Sequence, residues 1–170
     1  MWRQWRANGR FGAFFGPDVL LVPVPRSQPA ARGPWVGERL SWCLAELGLA
    51  EAVWPLLRRC HAVRKSAFAP AGERPSVLAH YASFGMEPAA VRPKRRAAPT
   101  RLRVLLVDDV VTRGRTLLAA AARVREALPG WEVRGFALLR TLDRAERLGS
   151  IVDPCEGEVR WLGGDARRVP

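Results

Sequence analysis

Asp108 and Asp109 stand side by side at the end of an apolar run, and Thr112, Gly114 and Thr116 follow at alternate positions. Paired carboxylates can accept from both hydroxyls of a diol. A short turn of threonine and glycine that opens a helix can offer backbone N–H groups and hydroxyls to a phosphate. The stretch VLLVDDVVTRGRTL, Val104 to Leu117, thus holds its acids and its turn in the order that a sugar-phosphate grip requires. The acids would end a buried parallel strand, and the turn would lead into the next helix.

Such a grip needs a sheet beneath it. Arg103–Val107 predicts the strand that carries the acids. Asp18–Val24 predicts a first strand, apolar on both faces like the middle of a parallel sheet. Pro25 through Pro34 reads as a loop. Trp35–Leu47 predicts a helix with Val36, Leu40, Cys43, Leu44 and Leu47 on one face and Gly48 at its end. Ala52–Leu57 reads as a short strand weakened by Pro55, Ser76–Ser83 as a helix, and Phe84–Met86 as a short extended piece. Arg58–Pro75 shows no periodicity and reads as a lid or an irregular segment. Glu87–Thr100, rich in proline and cations, reads as a surface connection.

Arg115 or Thr116 through Leu128 predicts a second long helix, with Leu117, Ala121, Val124 and Leu128 inward and Pro129-Gly130 as its stop. Glu132–Leu139 is a third strand and Glu158–Leu162 a last short one. Strands alternating with helices predict an α/β fold, one domain with a mostly parallel central sheet flanked by helices.

The chain has 170 residues, 48% of them hydrophobic, which suffices for one core and argues against disorder throughout. No apolar run is long enough to cross a bilayer, and the basic N-terminus MWRQWRANGR lacks the apolar stretch of a signal peptide. The expectation is a cytoplasmic protein without a membrane partner. A net charge of +12 favours anionic partners, whether nucleic acid or polyphosphate. Cys43, Cys60 and Cys155 form no CxxC pair, which speaks against a disulfide scaffold or a zinc ribbon.

An apolar strand ending in two acids occurs in several settings. A Walker B strand would follow a G-x-x-x-x-G-K-[ST] loop, and none precedes it. A dinucleotide fingerprint would place G-x-G-x-x-G after the first strand, and none is there. The remaining pattern, paired acids, two apolar residues, then Thr112, Gly114 and Thr116, resembles the phosphoribosyl-pyrophosphate (PRPP) motif of type I phosphoribosyltransferases. Upstream, Pro23-Val24-Pro25 and Arg32-Gly33 resemble the pyrophosphate loop of the ComF-like and amidophosphoribosyltransferase-like branch. The likeness covers roughly residues 18 to 140, with a hood expected from residues 1–17 and 143–170.

The resemblance implies roles. Asp108 and Asp109 would hold the ribose hydroxyls and Mg²⁺, and their charge would favour the cation that builds at the anomeric carbon. Val111, Thr112, Arg113, Gly114, Arg115 and Thr116 would cradle the 5′-phosphate. Arg26 and Ser27 would touch the pyrophosphate, and Arg64 or Lys65 on a mobile loop would close over it. The reaction implied displaces pyrophosphate with a nitrogen acceptor; the four-cysteine zinc module of ComF-like proteins is not expected, nor, with Met1-Trp2 at the start, the N-terminal cysteine by which the glutamine-using relatives make ammonia. A homodimer is expected.

Some residues keep two readings. Arg113 and Arg115 flank Gly114 where the family has small residues, so they either strengthen phosphate binding or crowd it. Arg26 is a pyrophosphate contact or a surface cation. Trp42, Trp54 and Trp131 read as core, while Trp2, Trp5 and Trp35 stack on a base or fill a contact. His80 reads as helix surface or core edge. The basic stretch Arg92 to Arg96 could track a nucleic-acid backbone. The alternative to the enzyme is a non-catalytic PRPP-binding or competence-type accessory protein with nucleic-acid contact.

Overall fold

The computed structural model describes residues 12–29, 33–64, 74–88, 103–142 and 154–169. Four parallel strands form the central sheet: β1 (Gly16–Pro23), β2 (Ala50–Val53), β5 (Arg103–Val111) and β6 (Glu132–Arg140), in the order β2-β1-β5-β6. Their apolar runs are continuous because both faces are covered. Leu20, Val22, Val104 and Leu106 point to one side, where Ala119, Ala120 and Val124 of helix α3 (Arg115–Ala127) meet them. Val19, Leu21, Leu105 and Val107 point to the other, where Leu44 of helix α1 (Val36–Glu46) lies. Each such fully buried side chain stabilises the fold by about 1.5–3 kcal/mol.

Helix α1 turns a different face inward than its periodicity predicts. Gly37, Ser41 and Leu44 are buried, whereas Val36, Cys43 and Leu47 are exposed. A Cβ on Gly37 would lie 3.2 Å from the carbonyl oxygen of Val107, so the helix sits on β5 through its smallest residues. That rotation also leaves Trp42 exposed, against the expectation of a core residue. Trp54 is buried and Trp131 packs beside it, with ring centroids 6.0 Å apart.

Two antiparallel hairpins complete the described structure. Pro55 splits the single strand expected over Ala52–Leu57, and β3 (Leu57–Arg59) pairs with β4 (Phe84–Met86) instead. Between them lies helix α2 (Val77–Ser83), capped by Ser76 Oγ, which accepts from the N–H of Ala79. At the C-terminal end, β7 (Glu158–Leu162) pairs with β8 (Asp165–Val169) across Gly163-Gly164, whose φ values are 58° and 88°.

The hood expected from both termini is only partly of that form. Residues 12–15 lie at the amino ends of β5 and β6. There the Ala13 carbonyl accepts from Arg103 and Arg134, and Phe15 meets Phe136 edge-on at 5.5 Å. This segment is held at the edge of the sheet opposite the acid pair, because its phenylalanines complete the core on the α1 side. The β7–β8 hairpin, by contrast, packs on α3 near the acid pair's edge. Residues 1–11 and 143–153 lie outside the described residues. No described helix is long and apolar enough to cross a membrane.

Candidate functional site

Strand β5 outruns its neighbour. Its pairing with β1 ends at Val107 opposite Pro23, while its pairing with β6 continues to Val111 opposite Arg140. Asp108 and Asp109 therefore stand on a strand whose β1 side is open. From β1 the chain passes through α1 to β2 on one flank. From β5 it passes through α3 to β6 on the other. Between the carboxyl ends of β1 and β5 the order of the sheet diverges, and in open α/β sheets that crevice is where ligands bind.

A cavity of about 630 Å³ occupies this crevice. It brings Arg26, Ser27, Asp108, Asp109 and every residue from Val111 to Thr116 onto one wall system. The expected residues thus converge from two separate segments. Lys65 lies outside the described residues, while its neighbour Arg64 lines the cavity. Among the described residues the lining carries seven arginines against two carboxylates, a strong bias toward a polyanion.

Each acid uses one oxygen on the next residue's backbone. Asp108 Oδ1 accepts from the N–H of Asp109 at 3.0 Å, and Asp109 Oδ1 from that of Val110 at 2.8 Å. The two carboxyl groups also engage each other, which favours the protonated form of Asp108. Strand alternation puts Asp108 on the α3 side of the sheet, where burial and the charge of Asp109 push its carboxyl up to about 7. The N–H of Asp109 and the charge of Arg59 oppose that rise.

The turn after the acids is shaped by glycine. Gly114 is the N-cap of α3, with φ 83°, and a Cβ there would meet the Val159 methyls at 2.6 Å. Both of its arginines are engaged by the hairpin. Arg115 donates through Nε and Nη2 to the two oxygens of Asp165, each at 2.5 Å, and through Nη1 to the carbonyls of Arg74 and Pro75. Arg113 donates to Asp165 at 3.1 Å. The guanidinium of Arg115 holds the Asp165 carboxyl down to about 2. Arg115 is therefore a tie between the turn and the hairpin, while it also lines the cavity.

The loop after β1 is braced just as closely. The Arg26 side chain donates to the Gly33 carbonyl and lies 5.6 Å from the centre of the Trp35 ring. Trp35 Nε1 donates to the Val24 carbonyl at 2.8 Å, so this tryptophan supports the loop from within. Two further cavity residues are buried: Arg59, which the sequence does not single out, and His80, which it reads as helix surface or core edge. Arg59 is only 6% exposed and stacks on Phe84 at 3.9 Å. Burial pulls its guanidinium down to about 10, still charged at neutral pH. His80 is 3% exposed, and neither ring nitrogen has a hydrogen-bond partner. Burial and then the charges of Arg59 and Arg115 pull it down to about 4, which keeps the imidazole neutral.

Arginine in a short strand ordinarily signals surface, and nothing in the sequence marked Arg59 as buried. The Gly163-Gly164 pair is the sequence signal that could have revealed the hairpin whose Asp165 holds the turn. The three cysteines are free and exposed. Among the described residues no group of three or more His, Cys, Asp or Glu side chains converges as a metal site. No family model, no curated protein and no solved structure matches the chain.

Proposed function

We propose that the chain is a phosphoribosyltransferase that takes PRPP and exchanges its pyrophosphate for a nitrogen acceptor. The observation that carries this reading is the shared cavity at the divergence of β1 and β5, with paired acids, a glycine-capped helix start and arginines around it. Pentose, monophosphate and diphosphate each have a partner of fitting chemistry there. Asp108 and Asp109 accept from the 2′- and 3′-hydroxyls through the carboxyl oxygens that no backbone N–H engages. The N–H groups and hydroxyls of the Thr112–Thr116 turn receive the 5′-phosphate. The Arg26–Ser27 stretch faces the leaving diphosphate.

The chemistry then follows from charge. As the bond from the anomeric carbon to pyrophosphate lengthens, positive charge builds on the ring, and the nearby carboxylates stabilise it. The surrounding guanidiniums stabilise the departing anion. Two carboxylates suit a Mg²⁺ held mainly by substrate oxygens, which would offset the diphosphate charge.

Isothermal titration with PRPP and Mg²⁺ tests the reading. The wild type gives a saturable heat, and Asp108→Asn/Asp109→Asn abolishes it. Unchanged heats in the double variant overturn the proposal.

A binding-only protein is the second reading. The occupation of Arg113 and Arg115 by Asp165 favours it, since those cations are withdrawn from transition-state work. A pyrophosphate-release screen over nucleobases and amines separates the two, and turnover excludes the second.

A further inference from the structure

We infer that Arg59 is a positioning residue that makes the Val24–Gln28 stretch a seat for a diphosphate, by holding its carbonyl oxygens. The inference rests on the PRPP reading and assigns the selectivity for a diphosphate at the anomeric carbon to one buried guanidinium.

Four successive carbonyls after β1 already have donors. Val24 O accepts from Trp35 Nε1 at 2.8 Å. Pro25 O accepts from Arg59 Nη2 at 3.2 Å, and Arg26 O from Arg59 Nε at 3.1 Å. Ser27 O accepts from the N–H of Val63 at 3.0 Å. A run of carbonyl oxygens facing a diphosphate would repel it. Here each oxygen is engaged, so the groups left for a ligand are donors. Among the described residues none accepts from the N–H of Ser27 or Gln28 or from the Ser27 hydroxyl. Successive amides presented in this way form an anion-binding concavity.

Arg59 is built to hold that arrangement. It is buried, and its third donor, Nη1, lies 2.5 Å from Ser83 Oγ, which in turn donates to the His80 carbonyl at 2.7 Å. Phe84 covers its face. All the nitrogens of the fork are thus assigned, and the plane cannot swing without losing several bonds at once. Trp35 and Val63 each hold one carbonyl, whereas Arg59 holds two. The positive charge also remains close behind the seat, where a diphosphate gains from it.

The test compares two ligands that share the pentose and 5′-phosphate but differ at the anomeric carbon. PRPP and ribose 5-phosphate are each titrated into the wild type, Arg59→Met and Arg59→Lys, with circular dichroism melts run alongside. Losing two charge-assisted bonds behind the seat weakens PRPP by about 10–100-fold in Arg59→Met. Ribose 5-phosphate stays within about 3-fold, well under one tenfold step of binding free energy. Arg59→Lys keeps the charge without the fork and falls between.

A purely structural residue weakens both ligands alike, and that result overturns the inference, as does unchanged PRPP affinity. If Arg59→Met does not fold, Arg59→Lys decides: wild-type PRPP affinity, or equal losses for both ligands, overturns it. A wild type that binds ribose 5-phosphate but not PRPP also overturns it. A wild type that binds neither ligand fails the PRPP reading itself and takes the inference with it.

Discussion

Two loops meet at the carboxyl edge of this sheet, and they are held in opposite ways. The Val24–Trp35 loop is braced from inside, by a buried guanidinium and an indole N–H acting on backbone carbonyls. The Thr112–Thr116 turn is braced from outside, by a hairpin whose Asp165 draws two arginines away and whose Val159 covers the glycine. In both, nearby arginine side chains are occupied with support.

The contrast is sharpest at the two glycines. Gly114 and Gly33 both have positive φ, 83° and 77°. A Cβ on Gly114 meets Val159, whereas a Cβ on Gly33 meets nothing within 4 Å. Gly114→Val adds backbone strain to overpacking and lowers stability by about 3–5 kcal/mol in urea titrations. A loss no larger than that of Gly33→Ala means the hairpin does not press on the turn.

The next largest effect concerns Asp108. A carboxyl raised on folding binds its proton more tightly in the folded chain, so the fold loses stability as pH rises from about 4 to about 7. Asp108→Asn removes that cost. Its gain is absent below pH about 4 and reaches roughly 4 kcal/mol above pH about 7. Thermal melts across that range check it, and a gain independent of pH contradicts the burial argument.

Smaller effects follow from the remaining supports. Gly33→Ala carries only the backbone strain, about 1–2 kcal/mol. Asp165→Asn loosens the outer brace by about 1 kcal/mol or less, because the pair is partly exposed. The Asp165 carboxyl is lowered on folding, so its contribution is present above pH about 4 and disappears as pH falls through about 2. Acid melts of the wild type and variant converge there. A difference that persists at pH 2 argues against the ion pair as the brace.

Sequence carried the sheet and the turn well, for physical reasons. Leu20 to Val22 and Val104 to Val107 are apolar at every position because helices cover both faces. Asp108 and Asp109 mark the point where that run leaves the core. The span of helix α1 and its Leu40 and Leu44 follow the periodicity, but the rest of its inward face does not, because periodicity weighs hydrophobicity whereas close approach to Val107 selects Gly37. Strand β8, DARRV, has too little apolar content to announce itself, and its role comes from one carboxylate. Arg59 was invisible because its burial depends on carbonyls distant in sequence, supplied by the loop after β1.

The most direct test is a crystal structure of the chain soaked with ribose 5-phosphate. The account places the sugar hydroxyls on Asp108 and Asp109 and the phosphate on the N–H groups of Thr112–Thr116, with the Asp165 pairs intact. A phosphate bound at the Val24–Gln28 stretch, or a sugar turned away from both acids, contradicts it.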